Sequence, residues 1–184
     1  MITQAIGIPG YVAGTWDIDP VHSQIGFVAR HMVVSKVHGR FDRFHGRIFT
    51  AQDPMQSWAI ATVNLNSVNT GDQTRDDDLR SGNFFAAATN PIMSYRSTRI
   101  RRHGEDLFVD GELTVHGMTR PLVLKVEVNG FTANPGGSIR TGFSATGQIK
   151  RADFLVCSNE PYLGLASDKI HLEIEVVAVL RTGD

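Results

Sequence analysis

The sequence predicts an all-β protein, an antiparallel up-and-down barrel of about eight strands with one short helical insertion. Three observations carry that prediction. From Thr15 onward, apolar residues alternate with polar ones at period two, in segment after segment. The segments are separated by glycine, asparagine, aspartate or proline, with 18 glycines to supply turns. Only residues 71–90 break the alternation for long. A set of antiparallel strands with one dry face must bury that face, and closure into a barrel does so while removing the sheet edges.

The first 14 residues read as an arm, and 15–184 as one barrel domain. A short strand is expected at 14–19. Residues 22–32 place Ile25, Phe27 and Ala29 on one face and Gln24 and Arg30 on the other. A weaker strand spans 37–49. Residues 59–68 oppose Ala59, Ala61, Val63 and Leu65 to Thr62, Asn64 and Asn66. A helix is expected from Asp72 to Arg80, because a polar cap and acidic first-turn residues suit a helix N-terminus; an irregular turn with Phe84 and Phe85 follows. Strands return at 92–101, 107–115, 121–129 and 139–150, with hairpin loops at 101–106 and 134–138. At the C-terminus Ile170, Leu172, Ile174, Val176 and Ala178 alternate with Lys169, His171, Glu173 and Glu175, the clearest pattern in the chain.

Composition narrows the function. A chain of 184 residues with 41% hydrophobic content buries a core without staples. Eighteen basic and 19 acidic side chains nearly cancel, so no strong net field draws the protein to nucleic acid or to an anionic membrane surface. The single cysteine, Cys157, excludes an internal disulfide and a CxxC motif, and reads as an unreactive thiol. The opening residues lack the basic start and uninterrupted apolar run of a secretory leader, and no segment offers the ~20 apolar residues of a spanning helix, so a cytoplasmic protein is expected.

Reactive constellations are weak. His22, His31, His38 and His45 follow one another at odd intervals, which on continuous strands turns successive rings to opposite faces, so no metal site is expected. Ser23 beside His22 lies in no nucleophile elbow and reads as a hydrogen-bonding feature; no catalytic residue is assigned. Asp76, Asp77 and Asp78 suit a first helical turn, and Arg75 and Asp76 are expected to brace the insertion against the barrel by charge-assisted hydrogen bonds.

The dry face carries small residues, among them Ala29, Ala59, Ala61, Ala145, Gly147 and Ala178. A barrel of about eight strands is either filled by its own side chains or holds one ligand, and these residues keep the second option open. Strand parity assigns Ile25, Phe27, Val63, Leu65, Leu113, Val115, Leu124 and Phe143 to the ligand-facing wall. Residues 72–86 are long enough to cover a barrel end, with Leu79, Phe84 and Phe85 closing over the ligand. A homodimer through exterior Val177, Val179 or Trp58 is a further expectation.

Four segments in order, TWDIDPVHSQIGFVARHMVVSKVHGRF, VNLNSVNTGDQTRDDDLRSGNFF, GELTVHGMTRPLVL and SDKIHLEIEVVA, resemble the YceI-like family over Thr15 to Leu180. The most specific matches are His22-Ser23 with Phe27 and His31, Gly39 and Phe41, Thr74-Arg75-Asp76 with Leu79 and Phe84, and Gly111 to Thr119. The chain departs from the family where an Arg-x-Asp-Phe-Gly run is usual, having Arg151, Asp153, Phe154 and then Leu155. The resemblance implies a lipocalin-like barrel that binds polyisoprenoids or similar long amphiphiles inside. The function expected is therefore non-catalytic binding of an isoprenoid quinone, polyprenyl or fatty-acid-like chain, with no resident cofactor. An enzyme acting on a lipid-like substrate and a ligand-free, stress-related interaction module are the alternatives.

Overall fold

The computed structural model describes residues 7–154, 156 and 167–183. Its strands are β1 (Gly14–Ile18), β2 (Gln24–His31), β3 (Ser35–Phe41), β4 (Phe44–Thr50), β5 (Trp58–Asn64) and β6 (Val68–Asn69), then, after helix α1 (Gln73–Arg80), β7 (Ile92–His103), β8 (Asp106–Val115), β9 (Met118–Ala133), β10 (Ile139–Lys150) and β11 (Lys169–Leu180). All belong to one sheet, ordered β1-β4-β5-β7-β8-β9-β10-β11-β2-β3-β6, and β1 also pairs with β11. That pairing closes the sheet. The C-terminal end of β11 meets β1, with Ala178 opposite Ile18, while its middle meets β2, with Ile174 opposite Ile25. β1 and β2 thus lie end to end along β11 as one interrupted strand. β4 and β3 lie along them, and β5 and β6 along those in turn. Counted this way the molecule is a closed antiparallel barrel of eight strands in sequential order.

The interruptions correct two sequence expectations. The strand expected at 37–49 is two, broken at Asp42 and Arg43, and the one expected at 59–68 ends at Asn64, where Leu65–Ser67 turn as a 3₁₀ helix. Polar side chains take the place of the missing ladder. The Ser67 hydroxyl accepts from the Arg43 amide (2.9 Å) and donates to Asn64 O (2.6 Å), and the Asn64 side chain accepts from the Asn66 amide (2.9 Å). Across the barrel, Ser23 Oγ accepts from the Val177 amide (2.9 Å) and donates to Val177 O (3.1 Å), bridging the gap between β1 and β2. Alternation survives such a break, so periodicity alone does not reveal it.

Turn chemistry is mostly as expected. The loop after Ala133 closes through Asn134 N–H to Ser138 O (2.7 Å), and β7 and β8 meet across Gly104 and Glu105. The β8–β9 hairpin turns through His116 at φ +55° and Gly117, and another hairpin departs further from the rule. Between β2 and β3 the backbone has φ of +49° at Met32 and +63° at Val33, with Val34 N–H bonded to His31 O (3.2 Å). Left-handed backbone costs a residue with a Cβ roughly 1–2 kcal/mol, and hairpins normally give such positions to asparagine or glycine.

Helix α1 is capped by Asp72, whose side chain accepts from the Arg75 amide (3.1 Å). Asp76 and Arg75 both grip Thr70, Asp76 Oδ1 accepting its amide (2.8 Å) and hydroxyl (2.6 Å) and Arg75 Nη2 donating to its carbonyl (3.1 Å). Their brace is therefore to the connection after β6. The tie to the interrupted strand is made instead by Arg80, which donates to Asn66 O (2.9 Å) and Val68 O (3.1 Å). Of the arm, residues 1–6 fall outside the described part, whereas Tyr11 is docked, its hydroxyl donating to Ala51 O (2.7 Å) and its ring set edge-on to Phe131.

Candidate ligand cavity

The inward residues of the closed barrel leave a cavity of about 340 Å³. It exists because small side chains occupy mid-barrel positions: Ala29, Ala59, Ala61 and Ala145 all line it. Two glycines shape it as well. At Gly39 and Gly111 an added Cβ would fall 2.2 Å from Phe27 Cζ and 2.3 Å from the Tyr95 hydroxyl, so each ring lies flat over a strand residue that has no side chain. Glycine inside a strand signals such close approach.

Polar atoms on the lining are committed elsewhere. Thr50 Oγ1 accepts from the Trp16 indole (2.7 Å) and donates to Val12 O (2.8 Å), Ser97 Oγ accepts from the Ala59 amide (2.8 Å), and the Tyr95 hydroxyl donates to Val109 O (3.4 Å). Burial, with the Asp110 carboxylate nearby, pushes the Tyr95 phenol up to about 12, so it stays neutral. The interior offers hydrocarbon and almost no unmet hydrogen-bonding capacity.

The two ends of the cavity differ. At one, Ile8 and Tyr11 of the arm and Pro54 and Met55 of a 3₁₀ turn border it, together with Trp58 and Ile60, which are 40% and 41% exposed and mark a rim. At the other, Leu79, Phe84 and Phe85 close over it beside Arg151 and Phe154. Rings step inward here from Phe85 to Phe41 (6.0 Å) to Phe27 (5.6 Å). The closing segment is anchored by its backbone: Phe85 N–H donates to Leu79 O (2.9 Å), Ala87 N–H donates to Arg80 O (2.9 Å), and His116 Nε2 donates to Phe85 O. Arg151 is buried, with Nη1 donating to Val156 O (3.0 Å).

Ile25, Phe27, Val63, Leu113, Val115, Leu124 and Phe143 line the cavity, as do Leu79, Phe84 and Phe85 from the insertion. Leu65 does not. It sits on the 3₁₀ turn, fully buried in the packed core with Val68 and Ala87, because the break at Asn64 takes it out of the strand's alternation. Among the lining residues that sequence reasoning missed are those of the arm, Phe41, Tyr95 and Arg151. Gly111, inside a strand, was the available signal for Tyr95. Of the residues expected to present a dimer patch, Val177 and Val179 are half-buried: Ser23 bonds both backbone groups of Val177, and Val179 pairs with Asp17.

Two of the reactive candidates make structural contacts. His22 Nδ1 hydrogen-bonds Asp19 Oδ2 (2.8 Å) in the turn after β1, and the Ser23 hydroxyl is spent on Val177. Among the described residues no group of three or more His, Cys, Asp or Glu side chains is arranged to hold a metal ion. Cys157 and Leu155 lie outside the described residues. No helix of the described part is long and apolar enough to cross a membrane.

A closed antiparallel barrel around an apolar interior is a lipocalin-like architecture. The chain belongs to the YceI-like family, whose domain model matches residues 16–178. It is 34% identical over 171 residues to Protein YceI of Salmonella newport, covering 91% of this chain and 88% of that protein. Among solved structures, the Campylobacter jejuni YCEI protein superposes with a TM-score of 0.73 at 32% identity, over 83% of this chain and 90% of that one. A polyisoprenoid binding domain from Saccharophagus degradans shares the fold, with a TM-score of 0.70 at 22% identity, over 92% of this chain and 100% of that one.

Proposed function

We propose that this protein binds and carries one long apolar or amphiphilic molecule, an isoprenoid quinone, a polyprenyl chain or a fatty-acid-like chain, inside the barrel, without transforming it. The observation that carries the reading is the apolar cavity of about 340 Å³ running between two differently built ends. Its volume falls within the ~300–1,000 Å³ usual for small-molecule sites. The shared fold with the polyisoprenoid binding domain from Saccharophagus degradans supports the isoprenoid members of this set.

Binding of this kind needs no specific polar recognition along the tail. Each buried methylene contributes ~0.8 kcal/mol, so ~15–20 carbons supply a gross 12–16 kcal/mol. Association and chain ordering remove several kcal/mol of that, leaving affinity in roughly the micromolar-to-nanomolar range. Head-group selectivity then falls to the polar residues at the ends, Tyr11 and Ser57 at one and Arg151 at the other.

Organic extraction of the purified protein followed by mass spectrometry tests the reading. A stoichiometric long-chain molecule is the expected result. Time-dependent conversion of an added lipid would establish an enzyme instead, and repeated absence of ligand with no uptake of an added polyprenyl analogue would leave an interaction module.

A further inference from the structure

The β2–β3 hairpin carries a feature that neither the cavity nor the fold uses. Its tip is Met32-Val33-Val34, three consecutive apolar side chains that are 56%, 85% and 90% exposed. Isolated exposed apolar residues are ordinary, but three in a row projecting from a hairpin are not. Met32 and Val33 also hold left-handed backbone, at φ of +49° and +63°. Asparagine or glycine would relieve both the exposure and the strain. The sequence instead keeps apolar residues where folding alone disfavours them.

Charge is arranged directly behind the tip. Arg30 and Lys36 face each other across the hairpin, both exposed. On the next strand, Arg30 is tied through its amide and carbonyl to Ser167 (3.0 and 2.8 Å), beside Lys169, and Lys169 stands opposite Lys150. Lys36, Arg30, Lys169 and Lys150 thus cross four neighbouring strands in one exposed row, and none forms an ion pair among the described residues. His38 and His171, exposed one level down on the same face, extend the row. Among the described residues, the acidic groups in this region are Asp168, whose Oδ1 accepts from the Ala152 amide (3.0 Å), Asp153, and Glu173 further along β11. The basic band persists although the whole chain carries a net charge of −1.

We propose that this hairpin is a docking surface for an anionic phospholipid bilayer, with Met32, Val33 and Val34 inserted among the acyl chains and Lys36, Arg30, Lys169 and Lys150 lying against the headgroup phosphates. An apolar wedge backed by basic residues is the chemistry of interfacial attachment, in which each lysine or arginine near an anionic surface strengthens binding about fivefold and the effect is screened by salt. A protein partner would more commonly meet an aromatic anchor within a polar rim. The surface stands independently of what fills the cavity.

Sedimentation of the full chain with phosphatidylcholine vesicles, with and without phosphatidylglycerol, tests the proposal at low and high salt. Binding should require phosphatidylglycerol and weaken with salt. The variant M32N/V33N/V34S should bind at least about tenfold more weakly, and Lys36→Glu with Lys150→Glu should abolish the dependence on phosphatidylglycerol. Asparagine suits both left-handed positions, so the tip variant should unfold no earlier than the native chain, which separates lost docking from lost folding. Absence of vesicle binding by the native chain, equal binding by the tip variant, or a tip that instead mediates self-association in analytical ultracentrifugation would each overturn the proposal.

Discussion

Replacing Phe85 with alanine separates a closing lid from a plug in a filled barrel. The backbone bonds that hold the segment, Phe85 N–H to Leu79 O and His116 to Phe85 O, do not involve the ring, so the substitution removes the side chain and leaves its anchor. In a fully packed core, Phe→Ala costs ~3–5 kcal/mol. The Phe85 ring is packed against Phe41 on one side and faces the cavity on the other, so only part of its surface has protein contacts to lose. The expected destabilisation of the empty protein is therefore near the simple transfer value for an aromatic ring, ~1.5–3 kcal/mol. In the loaded protein the ring covers the equivalent of two or three tail methylenes. At ~0.8 kcal/mol each, its loss weakens retention by ~1.6–2.4 kcal/mol. Because related complexes differ mainly in dissociation, release of a bound fluorescent polyprenyl analogue should become about 15 to 60 times faster. Stopped-flow release and denaturant unfolding on the same variant supply both numbers. Unchanged release with a stability loss at or above the full core value would refute the lid.

Arg80→Met keeps the length of the side chain but removes its bonds to Asn66 O and Val68 O; at ~1.5–3 kcal/mol for each hydrogen bond to a charged group, a loss of ~3–6 kcal/mol is expected, with earlier proteolysis between residues 70 and 90. Gly39→Ala would drive the Phe27 ring off its strand and into the cavity, lowering the capacity for long tails and costing ~1–3 kcal/mol in thermal or chemical unfolding. The Arg101 guanidinium, bonded to Asp110 through both oxygens at 2.7 Å, holds the Asp110 carboxyl below its ordinary value. Because the folded-state value is the lower one, the stabilisation is fully present above the ordinary aspartate value of ~3.9 and is lost as pH falls from there through the folded value. Asp110→Asn should accordingly flatten the acid side of the melting-temperature profile while leaving the neutral side nearly level.

The all-β class, the order of the strands and part of the cavity lining are legible in the sequence, because period two fixes which side chains share a face wherever a strand is continuous. Ile25, Phe27, Leu113, Val115, Leu124 and Phe143 are lining residues for that reason, as the alternation of C-terminal Ile170 to Ala178 is a sheet signal. Leu65 marks the limit. Its parity is right for the wall, yet Asn64 and Ser67 turn the backbone beneath it, and whether a serine hydroxyl completes a ladder depends on a strand that arrives from elsewhere in the chain. Closure was likewise decided in three dimensions: β11 divides its edge between β1 and β2, and only the assembled barrel brings Ala178 against Ile18. The cavity volume belongs to that level too. It is the space left when eight strands of fixed curvature meet around alanines, and no local pattern states how far apart opposite walls stand.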